Sequence, residues 1–221
     1  MFDLGIFLDA LTSTALLLGL ATTLTLAILV QAVSLVACLP LAVARAGPAR
    51  ALVHGYVWIF RGTPTLLVLL LAWNGLPQLI PAMKAGWYTA FDAAFLGLTL
   101  VQIAYLGEIM RAALSSVAAG QREAAAALGL HRFHIFRLIV LPQALRVAVP
   151  PLVNEFITLV KTTSLASVIS LRELMTVAGY AITASFRFLE WYSAALVYYL
   201  VTVGLIGLGQ AALERRLRRF R

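Results

Sequence analysis

Long apolar runs separated by short polar stretches set the pattern of this chain. The runs fall at about 14–42, 52–73, 91–111, 146–169 and 191–212. Each is long enough to cross roughly 30 Å of hydrocarbon as a helix. None alternates apolar and polar residues as a transmembrane β-strand must. A helix satisfies its own backbone groups where no water reaches. The pattern predicts an all-α polytopic membrane protein, a single domain over residues 1–221 with about five transmembrane helices. Before the first run, Phe2, Ile6, Phe7 and Leu8 oppose Asp3 and Asp9, as in a short interfacial helix.

The polar interruption at about 112–142 breaks this rhythm. Gln121 to Leu128 consists mainly of strong helix formers. Gly129 follows, where a glycine ends a helix cheaply. Phe133, Phe136, Ile139 and Val140 then recur at helical spacing, and Pro142 closes the segment. The result is a helix–Gly–helix elbow with one apolar face and several arginines. Such an elbow suits docking into a groove of another protein. The same residues also fit a basic loop that only sets topology.

The chain is 62% apolar and 12% charged, with a net charge of +8. The charges sit in loops between apolar runs, so no nucleic-acid partner is expected. Arg45, Arg50, Arg122, Arg132, Arg137 and the arginines from Arg215 to Arg221 fall on one side. Lys84, Arg172 and Arg187 fall on the other. The more basic side is expected to be cytoplasmic, with the N-terminus outside and the C-terminus inside. The arginine-rich C-terminus suits anionic lipid headgroups. Asn74-Gly75-Leu76-Pro77 with Pro81, and the mixed-charge stretch 170–190, read as external loops. Trp191 and Tyr192 read as an aromatic anchor opening the last span.

Ionisable residues inside spans mark a pathway or a paired site by default. Arg61 lies beside Gly62 and Pro64, which weaken its helix. It either lines a pathway or snorkels to the interface. Glu108 and Arg111 are three apart and share a face, so they are expected to pair. The fourth span opens at Pro150-Pro151, with Pro151 suited to the first helical position. Asn154, Thr158 and Lys161 line one face of it, and Glu155 flanks them near mid-membrane. Asn154, Glu155, Thr158, Lys161 and Arg61 are thus the candidate pathway residues. An ion-gradient secondary transporter is an alternative use of the same charges, although no inverted repeat accompanies them.

Other chemistry is not in evidence. There is no phosphate-binding P-loop motif, so any ATP and Mg would belong to a partner chain. Cys38 is the only cysteine, which removes intrachain disulfides and cysteine metal clusters. His131 and His134 lack a third ligand. The acidic N-terminus lacks the positive region of a cleavable signal peptide.

Glu123-Ala124-Ala125, three residues, Gly129, nine residues, Ile139, one residue and Leu141-Pro142 form a long spaced pattern. It resembles the EAA loop of ABC-importer permeases. Phe60-Arg61-Gly62-Thr63-Pro64, Asn74-Gly75-Leu76-Pro77, Glu108-Ile109-Met110-Arg111 and Leu159-Val160-Lys161-Thr162-Thr163-Ser164-Leu165 resemble the polar amino-acid branch of that family. The likeness covers most of the chain from about Leu24. It departs at Gly107, where Ala is usual, at Ala118-Ala119 in place of Pro-Lys, and at Thr162 in place of Asp. The resemblance implies a type I ABC-importer permease fold in a bacterial cytoplasmic (inner) membrane. It also implies an ATPase subunit dimer holding ATP and Mg, a second permease of the same or another kind, and an external substrate-binding protein. Glu123, Ala124, Ala125, Gly129 and Arg132 would then couple to the ATPase. The chain itself would not be an enzyme. The cargo would be a polar or basic amino acid or an opine, with Lys161 facing a carboxylate and Glu155 an ammonium or cationic side chain.

Overall fold

The computed structural model describes residues 2–43 and 48–218. Arg45, Arg219 and Arg221, counted above for topology, lie outside the described residues. Among the described residues every regular element is helical. The chain opens with α1 (Leu4–Leu11), capped by Asp3, whose Oδ1 accepts from the Gly5 amide at 2.9 Å. A first long helix follows, α2 (Thr14–Ala37) continuing into α3 (Leu39–Val43). Next come α4 (Pro48–Gly62) and α5 (Thr65–Leu70), then a π-helical turn (Leu71–Gly75) and α6 (Leu76–Leu79). The long α7 (Ala90–Ser115) leads to α8 (Ala119–Ala127) and α9 (Arg132–Ile135). A π-helical turn (Phe136–Val140) joins α9 to α10 (Leu141–Thr162), which ends in a 3-10 segment (Thr163–Ile169). The chain closes with α11 (Leu174–Ser185) and α12 (Phe188–Arg218).

Four of these helices are long and apolar enough to cross a membrane, or five if one bent pair is a single span. The bent pair is Arg50–Gly62 with Thr65–Leu79, turned by 100°. The span expected at 52–73 is therefore broken where Gly62 and Pro64 weaken it. Gly62 lowers helix propensity, and Pro64 supplies no backbone donor and biases Thr63 away from helix. Asn74 to Pro77, read above as loop, is helical instead. The Asn74 side chain donates to the Leu70 carbonyl at 3.2 Å, keeping the polar residue inside the turn.

Helix α7 is central. Ala93, Ala94, Leu98, Ala104 and Leu106 on it are buried. Its small residues let α2, α5 and α10 approach closely. Three apolar clusters stack along the bundle. The middle one joins Leu26, Leu69, Leu98 and Val160. The elbow end joins Cys38, Leu106, Met110, Ala125 and Ala144. The opposite end joins Ala10, Leu16, Leu174 and Ala194. The outer face of α12 stays uncovered, with Leu200, Leu205 and Leu208 more than 60% exposed.

The stretch 170–190 is not a solvated loop. It contains α11, and its two carboxylates are buried, Glu173 at 0% and Glu190 at 3% exposure. Glu173 caps α11, accepting from the amides of Thr176 at 2.7 Å and Met175 at 3.0 Å and from the Tyr199 hydroxyl at 3.4 Å. Glu190 accepts from the Asp3 amide at 2.9 Å, which straps α1 to α12. Sequence reading took these carboxylates for surface charge because their donors lie far along the chain or in the backbone. Trp191 packs partly into the cluster around Ala194.

The α2–α11 contact leaves no room at Gly19. A Cβ there would meet the Leu174 backbone at 3.1 Å and 3.2 Å. Backbone cannot give way as a flexible side-chain tip can. Gly19→Val should lower the unfolding midpoint of the purified chain, at a cost of about 1–3 kcal/mol for an overpacked helix contact. A thermal melt in detergent at the wild-type midpoint would contradict this packing.

Candidate coupling elbow and membrane cavity

The elbow is built by local hydrogen bonding around Gly129. Helix α8 ends with the Gly129 amide donating to Ala126 at 2.9 Å and the Leu130 amide donating to Ala125 at 3.2 Å. This pair of bonds is the Schellman closure, which requires a left-handed residue between them. Gly129 fills that place at φ +78°. His131 then starts α9, its ring nitrogen accepting from the Phe133 amide at 3.4 Å.

Three further bonds fix the elbow to the bundle. The Arg122 guanidinium donates to the Leu114 carbonyl at 2.6 Å. Gln143 on α10 donates to the Gln121 side chain on α8 and to the Ile139 carbonyl, the latter at 3.0 Å. The glutamine pair bridges the two arms, and sequence reading missed it because the partners are 22 residues apart.

The elbow has an inner and an outer side. Ala125 and Ile135 are buried among Leu106, Met110 and Leu114. Glu123, Ala124 and Arg132 are exposed. Leu128 at 83% and Phe133 at 60% exposure form an uncovered apolar knob beside them. The apolar face expected from Phe133, Phe136, Ile139 and Val140 is therefore split. Val140 faces in with Ile135, while Phe133 and Phe136 face out. The π-helical turn shifts the helical phase here, and a straight 3.6-residue count cannot see that. Of the five coupling candidates, Ala125 faces this chain's own core rather than a partner.

The second arm does not stop at Pro142. Helix continues from Arg132 to Ile169 as one 38-residue run. Pro142 directly follows the π-helical turn, at the start of α10 but inside this continuous run. Pro150 and Pro151 lie inside the helix rather than at its start. The elbow is thus joined without a break to the helix that carries Asn154, Glu155, Thr158 and Lys161.

That helix borders a cavity of about 130 Å³, lined by Thr65, Gln102, Tyr105, Glu155, Thr158 and Thr162 among others. Arg61, at the end of α4, places its guanidinium 5.1 Å from the centre of the Tyr105 ring. Its charge reaches Glu155 across the break after Gly62. No close ion pair joins the two among the described residues. Glu108 and Arg111 do pair, at 2.6 Å, as their spacing predicts. The hydroxyls of Thr158 and Thr162 donate back to Asn154 and Thr158 carbonyls at 3.1 Å and 2.8 Å. Their oxygens remain free as acceptors. Asn154, Thr158 and Lys161 are exposed on this chain alone. The structure therefore gathers Glu155 and Thr158 with Arg61 nearby, and leaves Asn154 and Lys161 on an open face. Gln102 and Tyr105 were overlooked, although polar residues within a span are the signal that should have found them. Gln102 donates to Gln31 at 2.9 Å.

Residues 34–219 match the family described as the inner membrane component of binding-protein-dependent transport systems. The chain belongs to this family. Membership makes it a membrane transport component rather than an enzyme. It is similar to the probable amino-acid permease protein YxeN of Bacillus subtilis, 44% identical over 149 residues, which are 67% of this chain and 66% of that protein. It is 35% identical to the arginine transport system permease protein ArtQ of Bacillus subtilis over 204 residues, covering 90% of this chain and 91% of that one. A solved structure described as an amino acid ABC transporter with histidines matches with a TM-score of 0.86 at 31% identity. That match covers 98% of this chain and 99% of the other. The type I importer-permease fold expected from the EAA-like spacing is the fold observed. The ion-gradient alternative gains no support from any of these similarities.

Proposed function

We propose that the chain is the permease subunit of an ATP-driven importer of polar or basic amino acids or opines. The carrying observation is the uncovered elbow, with Glu123, Leu128 and Phe133 presented outward and the same helix running on to Glu155. The outer side of the elbow docks in a groove of an ATPase subunit, one per permease in a dimer. ATP and Mg are held by that partner. The exposed face of Asn154, Thr158 and Lys161 meets a second permease across the pathway. An external binding protein delivers the cargo to the end opposite the elbow. The membrane is the bacterial inner membrane, with the elbow and C-terminus in the cytoplasm.

A basic cargo is supported by the half-buried Glu155 and by the arginine transport named for a similar protein. A carboxylate with no close cation can accept charge-assisted bonds from a guanidinium or ammonium. The test is reconstitution of the chain with its ATPase and binding protein in liposomes. Arginine uptake should require enclosed ATP and Mg and survive collapse of ion gradients. Uptake that persists without nucleotide and follows a proton or sodium gradient would overturn the assignment.

A further inference from the structure

A cavity of about 540 Å³ lies where α4, α7 and the start of α8 meet, at the elbow end. Arg50 and His54 line it from α4, Arg111 and Ser115 from α7, and Arg122 from α8. No carboxylate is among its lining residues. Glu108 offsets the charge of Arg111. Arg50 and Arg122 have no carboxylate partner among the described residues.

Arg122 is half satisfied. One terminal nitrogen donates to Leu114, but its buried Nε has no partner. A buried charged donor left unbonded is costly, and an acceptor entering the cavity would relieve it. The first turn of α8 opens on the same space. Ala118 and Ala119 line it, and Ala118 offers no side-chain oxygen to cap the helix. Free first-turn amides and the helix dipole favour an anion there.

Arg122 also lines a second cavity of about 400 Å³, whose other walls are mainly apolar and include Val43, Leu114, Phe136 and Val140. A free anion would use only the first cavity. A headgroup attached to hydrocarbon would use both. We propose that the paired cavities bind an anionic phospholipid, its phosphate among Arg50, Arg111 and Arg122 and its upper chain against Leu114, Phe136 and Val140. This site does not depend on what the permease carries.

The test is binding to the full chain in neutral detergent, read by native mass spectrometry. The probes are dioctanoyl phosphatidylglycerol, dioctanoyl phosphatidylcholine and inorganic phosphate. Phosphatidylglycerol should bind in preference to phosphatidylcholine. Arg50→Gln with Arg122→Gln should weaken it on the order of tenfold, from the attraction of each lost arginine. Arg50→Gln alone changes an exposed side chain, keeps the fold, and should weaken it several-fold. Arg172→Gln with Arg187→Gln, at the other end, should leave it unchanged. Equal binding of phosphatidylcholine, or unaltered phosphatidylglycerol binding in both Arg50 variants, would overturn the site. Displacement of the lipid by inorganic phosphate at equal concentration would overturn the lipid assignment in favour of a free anion.

Discussion

Gly129→Val should reduce ATP-driven uptake on the order of tenfold or more while leaving the assembled transporter intact. The reason lies in the backbone. Gly129 holds φ at +78°, and an added Cβ would meet no atom of this chain within 4 Å. Crowding within the chain therefore cannot be the cause. A left-handed conformation costs an ordinary residue roughly 1–2 kcal/mol, and a β-branched one more. Valine should pull the turn toward negative φ, break the two closing bonds to Ala125 and Ala126, and swing α8 relative to α10. Gly129→Asn separates strain from crowding by a partner, because asparagine also has a Cβ but tolerates the left-handed region. Asparagine should keep most of the uptake. Equal loss in both variants would assign the defect to a partner's surface and not to the bend. Glu123→Ala is the companion test. Glu123 is exposed and makes no hydrogen bond or ion pair among the described residues, so its loss should spare the melting temperature. Coupling should fall, read as ATP hydrolysed per substrate imported. A wild-type ratio would remove Glu123 from the docking surface.

The spans and the elbow were legible for a physical reason. Apolar runs and a glycine at a helix end leave their mark in local sequence. The pairing of Glu108 with Arg111 was legible because three residues on a helix fix geometry. What escaped depends on phase or on distant partners. The π-helical turn at Phe136–Val140 changes which side chains face the core, and no periodicity announces it. Glu173 and Glu190 look like surface charges until Met175, Thr176, Tyr199 and the Asp3 amide are placed around them. The break at Thr63–Pro64 was foreshadowed by Gly62 and Pro64, but its 100° turn was not. That turn matters, because it brings Arg61 near Tyr105 and within electrostatic reach of Glu155.

Glu155→Gln should sharply lower uptake of cationic amino acids and leave neutral ones nearly unchanged. Glutamine keeps the size of glutamate and removes its charge, so packing against the cavity should hold. What is lost is a charge-assisted bond, about 1.5–3 kcal/mol when the partner is ionic, or roughly a tenfold to hundredfold effect. Arg61 complicates the balance. With the carboxylate gone, its positive charge is no longer balanced by Glu155 and repels a second cation. Arg61→Gln in the Glu155→Gln background should therefore recover part of the lost uptake, whereas a purely structural Glu155 would show no such rescue. The binding protein must be held constant, since it can impose selectivity before the membrane site is reached. Uptake of arginine unaltered by Glu155→Gln would move selection out of the membrane. Uptake lost for cationic and neutral substrates alike would make Glu155 a part of the gating structure rather than a ligand of the cargo.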